Sequence, residues 1–336
     1  MKLLVDGRWL DGHSGIARYA NAICSRLSKA IDVRVMHPRG HHAAVLAPIR
    51  LTKDLRFEKP DRLFWTPGFI PPAFTKLRTI CTVHDLNHRA HYGKIKRTYY
   101  DVFLKPILQR TDQIITVSHT AKRDLQDWLM FSDDERIKVI YHGVDPAFSP
   151  KQRKPEAGKS SSRPYFFYPG NFRRYKNVER IIEALARSHH RGEAELHFTS
   201  PPTPALEHLI QDLSLTDDVV FRPNLAEHEL VEAYRNAHAT VFISLAEGFG
   251  LPLLESMACG TPVISGTLSC LPETGGEAAE YVDPLNVDAI ANAMDRLLED
   301  EALRAALVVN GLQRASQFTW EKSATEHMQT FLKFSP

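Results

Sequence analysis

The sequence predicts an α/β protein made of two doubly wound units in succession. Three observations carry this. The chain has 336 residues, more than one hydrophobic core usually occupies. Short apolar runs alternate with helical patterns throughout, as in a parallel sheet wrapped by helices. A polar stretch interrupts the alternation, which then starts again. One large barrel is the competing reading of the length. With 43% hydrophobic and 24% charged residues, composition excludes a fibrous, disordered or disulfide-stapled chain.

In the first unit the apolar runs predict strands at 2–5, 33–37, 63–66, 79–84, 113–118 and 138–142, with helices at 96–110 and 119–129 between the last three. Residues 149–164 carry Pro, Gly, Ser and charge without a hydrophobic period, as a solvated linker does. Beyond them strands are expected at 165–168, 195–199, 219–221, 240–244 and 262–265, and helices at 177–190, 227–236, 251–258 and 287–298. Helical patterns at 301–318 and 320–334 end the chain. The domain reading is therefore 1–155, 164–318 and a closing helix at 319–336. Two such units create a cleft at the carboxyl ends of their sheets, suited to a nucleotide and a second substrate.

The start, Met-Lys-Leu-Leu-Val-Asp-Gly, has three apolar residues in a row before a charge, too few for a secretory core. No apolar run reaches the roughly 20 residues that cross a bilayer. Cys24, Cys81, Cys259 and Cys270 lack any Cys-x-x-Cys spacing and read as reduced core thiols rather than zinc ligands or disulfides. The expected location is cytoplasmic. Residues 1–150 hold 24 basic and 15 acidic side chains, and the remainder 18 and 25, so a net +9 faces a net −7. A basic half can attract phosphate-bearing partners or an anionic lipid surface; solvated Lys and Arg account for it equally well.

The strongest signal runs from Ala246 to Ile264, AEGFGLPLLESMACGTPVI, and reads as turn, helix and strand. Gly248 and Gly250 allow a tight turn that presents amide N–H groups, flanking Phe249 and Leu251, to an anion or hydroxyl. Pro252 suits the first helical turn, where its missing donor has no partner to lose. Glu247 before the helix and Glu255 within it offer two carboxylates to sugar hydroxyls. A basic cluster, Arg173, Arg174 and Lys176, follows the 165–168 strand, where a diphosphate would need its charge neutralised. In the first unit a loop of small residues around Gly15 joins strand to helix and lets a phosphate approach the main chain. It lacks the Gly-x-Gly-x-x-Gly spacing of a dinucleotide fingerprint, which argues against a nicotinamide dehydrogenase. His84 ends a strand at the cleft edge, and Ser118 sits where it can cap a helix.

The 246–264 string, with its Glu-x7-Glu spacing, resembles the donor-site signature of glycosyltransferase family 4. The resemblance continues in Gly170 to Asn177, in His142-Gly143-Val144-Asp145 and in Ser269 to Ala279, covering most of the second unit. It implies the GT-B fold, two Rossmann-like domains facing across a cleft with the last helix returning to the first, and transfer of a hexose from a nucleotide diphosphate with retention. Glu247 would hold the donor sugar, Glu255 the ribose, Lys176 the diphosphate and His84 the reacting sugar's other face. Gly15 and its neighbours would lie over the diphosphate. Since Tyr175 stands beside Lys176 where many relatives carry arginine, either Arg173 or Arg174 takes that part.

No Asp-x-Asp pair stands at a strand end, so no metal is expected; Lys176, an arginine and helix N-termini would meet the leaving phosphates. No cofactor is expected beyond the nucleotide sugar. Likeness to mannosyltransferases of bacterial surface polysaccharide pathways points to GDP-mannose, with a glycan or lipid-linked glycan as acceptor. Residues 89–105 interleave His, Tyr, Lys and Phe and suggest peripheral membrane contact, against the plainer reading of a helix packed on its own sheet. The rival readings are a nucleotide-sugar epimerase of the same fold and a noncatalytic sugar-nucleotide-binding subunit. No nucleic-acid partner is expected.

Overall fold

The computed structural model describes residues 1–12, 15–41, 44–90, 93–131, 135–150 and 163–335. Two compact units are present: Met1–Gly143 together with Phe318–Pro336, and Val144–Gln317. Most of the expected linker at 149–164 lies outside the described residues. Phe148 packs against Phe167 and Tyr234, inside the second unit.

The first unit holds β1 (Lys2–Asp6), β2 (Asp32–Met36), β3 (Leu63–Thr66), β4 (Arg78–Thr82), β5 (Gln113–Thr116) and β6 (Ile137–Val139). They form one sheet in the order β2-β1-β3-β4-β5-β6, and every pair is parallel. Such a sheet is covered on both faces, and Leu3, Leu4 and Val5 are all fully buried. Leu3, Val5, Leu63 and Trp65 face Tyr19 and Ile23 of helix Gly15–Leu27 and Trp320 and Phe331 of helix Trp320–Lys333. Leu4 and Phe64 face Leu51 and Leu55 of helix Ala47–Leu55. Gly143 is required where the chain passes the start of the last helix: a Cβ there would lie 2.1 Å from the Trp320 backbone nitrogen.

The second unit holds β7 (Tyr165–Tyr168), β8 (Glu195–Phe198), β9 (Val219–Phe221), β10 (Ala239–Phe242), β11 (Val263–Gly266) and β12 (Glu280–Val282). Their order is β12-β11-β10-β7-β8-β9, again all parallel. In each sheet the winding reverses once, between β1 and β3 and between β7 and β10. At such a reversal the loops leaving two neighbouring strands turn to opposite faces and open a crevice at their carboxyl ends. That crevice positions the chemistry described below.

Several expected elements are corrected. β4, β5, β6 and β10 stop two or three residues short of their expected ends: Val83, Val117, Ile140 and Ile243 stay buried just beyond them, and Val83 and Ile140 still donate to the Ile115 and Thr116 carbonyls. The expected helix at 96–110 divides into Lys94–Thr98, a π-helical turn Tyr99–Leu104 and Lys105–Leu108. β12 and the helices Ala47–Leu55 and Pro204–Asp212 were not expected.

Candidate functional site

In the second unit the loops after β7 and β10 meet at the winding reversal. After β7 the chain makes a 3-10 turn, Arg174–Lys176, and then Asn177 takes a left-handed conformation with φ 62°. Asparagine tolerates that region better than most residues, and here its side chain also secures the turn. Nδ2 donates to the carbonyls of Ile243 at 3.3 Å and Pro284 at 2.7 Å, while Oδ1 accepts from Arg180. The Leu245 amide donates to the Tyr175 carbonyl at 2.7 Å, stitching the two loops together.

This stitching delivers Lys176 to Glu247. Nζ donates to Oε1 at 2.5 Å, and the two side chains are only 14% and 12% exposed. The ammonium also lies 5.0 Å from the centre of the Phe242 ring. Ser269 holds Glu247 by its backbone: its Oγ accepts the Glu247 amide at 2.9 Å and donates to the Glu247 carbonyl at 2.8 Å. Arg173 and Arg174 are exposed at the same turn, so three cations gather within four residues. An ammonium has three N–H donors. One is committed to Glu247, and the pair is thereby a fixed, largely dry charge array able to receive a further anion.

Gly248, Phe249 and Gly250 are buried. Gly250 precedes helix Leu251–Ala258 with φ 89°, a conformation that strains any residue with a Cβ. Thr274 donates to the Phe249 carbonyl, locking the turn from the neighbouring segment. Glu255 is 6% exposed and accepts the Tyr234 phenol at 2.9 Å. The two carboxylates expected to share one ligand are thus held differently, Glu247 by a lysine at the loop and Glu255 by a tyrosine of helix Glu227–Asn236. Ser269, Asn177, Thr274 and Tyr234 went unnoticed as supports in the sequence. The left-handed Asn after a basic turn and the Ser beginning the 269–279 segment were the available signals.

In the first unit Gly15 is exposed at the start of helix Gly15–Leu27, and the two residues before it lie outside the described set. Ser118 caps helix His119–Leu129, its Oγ accepting the Ala121 amide at 3.0 Å. His84 is half-buried just past β4. Its Nε2 lies 2.9 Å from the Pro67 carbonyl and its Nδ1 3.3 Å from His142 Nε2. Burial pushes its pKa down to about 4 against the partial opposition of the Pro67 carbonyl. His142 is driven well down as well, first by burial and then by its histidine neighbours. Tyr19 stands edge-on to His84, centroids 4.9 Å apart.

Tyr19 is itself fixed by a buried relay whose direction can be deduced. His327 Nδ1 faces the Ser323 carbonyl at 2.7 Å, so Nδ1 carries the proton. Burial pushes that imidazole down to about 4, so it is neutral and Nε2 is a bare acceptor. The Tyr19 hydroxyl, 2.6 Å away, therefore donates to it. Thr82 then donates to Tyr19 at 3.0 Å and accepts the Trp65 indole N–H at 3.1 Å. Every proton has one acceptor, as buried polar groups require.

The chain has counterparts among known proteins. The pattern described as "Glycosyl transferases group 1" matches residues 148–314, and that described as "Glycosyltransferase Family 4" matches residues 31–148. The chain is similar to the O-antigen chain mannosyltransferase B of Escherichia coli, 26% identical over 89% of this chain and 78% of that one. It is also similar to the MMP alpha-(1->4)-mannosyltransferase of Mycolicibacterium hassiacum, 29% identical over 68% of this chain, where it spans little more than half of the relative, 56%. Among solved structures, sucrose-phosphate synthase from Thermosynechococcus elongatus superposes with a TM-score of 0.81 over 99% of both chains at 20% identity. That likeness establishes the fold as GT-B. Together the two patterns span residues 31–314, and the chain belongs to glycosyltransferase family 4.

Proposed function

We propose that this glycosyltransferase moves a hexose, with mannose from GDP-mannose as the first candidate, to a hydroxyl of a glycan or lipid-linked glycan, retaining the anomeric configuration. The observation that carries the reading is the Lys176–Glu247 pair, set at the winding reversal of the second sheet with two exposed arginines beside it. In glycosyl transfer the diphosphate departs as positive charge develops on the sugar, so stabilising the departing phosphates is the main catalytic contribution. Lys176, with donors to spare, and Arg173 or Arg174 are suited to that task, and no metal is then needed on the phosphates. Glu247, anchored by Ser269, would orient the sugar. The mannose assignment rests on the two mannosyltransferases named above.

Contact with a membrane surface belongs to the same proposal. Within the segment 94–108, Tyr100, Leu104 and Leu108 pack inward, while Ile95 and Val102 stand 89% and 71% exposed beside Lys94 and Arg97. Apolar side chains among cations are what an anionic lipid surface takes up. Among the described residues no helix is long and apolar enough to cross a membrane. Co-sedimentation with anionic vesicles, reduced in an Ile95→Glu/Val102→Glu variant, is the expected result; equal sedimentation of both proteins would remove this part.

The deciding experiment is nucleotide release from GDP-, UDP-, dTDP- and ADP-sugars with and without glycan acceptors. Release from one donor, raised by acceptor and lost in Glu247→Ala and Lys176→Ala, is expected. Conversion of a nucleotide sugar into its epimer without an acceptor and without nucleotide release favours the epimerase reading, and no binding of any donor refutes the proposal.

A further inference from the structure

Two histidines that the sequence treats separately form a directed pair in the first unit. The Pro67 carbonyl at 2.9 Å from His84 Nε2 can only accept, so Nε2 carries a proton. A neutral imidazole has one N–H, so Nδ1 of His84 is an acceptor. His142 Nε2, 3.3 Å from it, must then be the donor. The two rings lie nearly parallel, 28° apart with centroids at 5.3 Å. Tyr19 flanks both, its ring centroid 4.9 Å from each, and Trp320 lies 5.7 Å from His142. Neither ring can rotate without displacing Tyr19, which the relay through His327 and Thr82 holds by its hydroxyl.

We propose that His142 is a positioning residue: its Nε2–H, donated to His84 Nδ1, acts together with the Pro67 carbonyl to hold the His84 ring as the single tautomer whose proton sits on Nε2. This rests on the reading of His84 as a group that touches the reacting sugar. The consequence is that the half-buried His84 ring meets a substrate as a neutral hydrogen-bond donor. A sugar hydroxyl or phosphate oxygen can share the Nε2–H with the Pro67 carbonyl. It cannot find a base at Nδ1, because that lone pair is occupied. The groups around the pair favour the same state. Tyr19 is neutral, His327 is neutral, and Lys138 acts on His327 and disfavours its protonation. Deleting the His142 ring would open Nδ1 to water and leave the tautomer to the Pro67 carbonyl, so that the second tautomer forms in part and the His84 pKa rises as its burial is relieved.

The test uses the full chain, 15N-labelled, with ring nitrogens observed by long-range proton–nitrogen correlation and assigned with His84→Gln. In the wild type His84 should show the Nε2–H pattern from pH 5.5 to 8.5. In His142→Ala its ring shifts should move toward the two-tautomer average, and its titration should shift upward from that of the wild type. The kcat should fall roughly twofold, since a ring shared between two tautomers carries the Nε2 proton about half the time, with an inflection where His84 now titrates, while the donor KM is unchanged. His142→Gln, which retains an N–H donor, should recover most of kcat and the single tautomer. It also serves if His142→Ala does not fold. A His84 that keeps one tautomer and an unaltered pH profile without the His142 donor overturns the proposal. If His84→Ala turns over as fast as wild type, the catalytic reading of His84 fails instead, and the ring shifts still decide the positioning claim.

Discussion

Replacing Lys176 with Met removes the ammonium and keeps most of the stem against Phe242. Glu247, 12% exposed, is then left almost dry without its cation. Breaking a fully buried pair costs about 3–5 kcal/mol, while an exposed one is worth about 0–1. A pair with roughly an eighth of each side chain in water should fall between, at about 2 kcal/mol of stability. Binding suffers separately. A charge-assisted hydrogen bond to a phosphate oxygen contributes about 1.5–3 kcal/mol, so donor affinity should drop about 10- to 150-fold. Denaturant titration reads the first quantity, and calorimetry with the nucleoside diphosphate reads the second. Glu247→Gln completes a double-mutant cycle, with a coupling of about 1–2 kcal/mol expected. If Lys176→Met binds the diphosphate within threefold of wild type, the assignment of Lys176 to the leaving phosphates is wrong.

Tyr19→Phe removes a hydroxyl that serves His327 and Thr82 at once. With two buried groups stranded, unfolding free energy should fall by about 2–4 kcal/mol, and a loss below about 0.5 in denaturant titration would contradict the relay. Gly250→Ala forces a Cβ onto a backbone at φ 89° and to 3.1 Å from Leu271. We expect about 1–3 kcal/mol of destabilisation and weaker donor binding, measured by thermal shift with and without nucleotide. The three buried histidines set the acid limit. Their folded pKa values lie below the ordinary 6.5, so the unfolded chain binds protons first. Stability is full above about pH 6.5 and declines toward pH 4, with two to three protons taken up on unfolding, or about 3–4 kcal/mol per pH unit at the steepest point. A denaturation midpoint flat from pH 7 to 5 would count against neutral burial of these rings.

The parallel-sheet architecture was legible because the inner strands are apolar on both faces and the runs are short. β3, β7 and β9 have the ends that their composition suggests. Residues 83–84 and 243–244 carry the same signal past the ends of their strands, since an apolar run does not mark where a ladder stops. β12 is a three-residue strand, too brief for any period to register. The π-helical turn Tyr99–Leu104 adds a residue to a turn without changing composition. At the site, turn chemistry was readable where it is local, in Gly250, Pro252 and the basic turn. The pairings were not. His84 meets His142 across 58 positions, Tyr19 meets His327 across 308, and Ser269 reaches Glu247 across 22. Contacts set by topology leave no spacing rule in a single sequence.

The first unit draws its last helix from the far end of the chain, with the entire second unit in between. On a ribosome this makes the earlier-made unit the later to finish. Residues 1–143 must wait for 174 further residues, 144 through 317, which at about 5–20 residues per second takes roughly 10–35 s. Throughout that interval Tyr19, Trp65 and Leu27 lack the cover of Trp320 and Phe331, while the second unit, contiguous in sequence, can close as it emerges. A nascent chain paused after residue 317 should therefore present a bare apolar face to chaperones that the finished protein never shows.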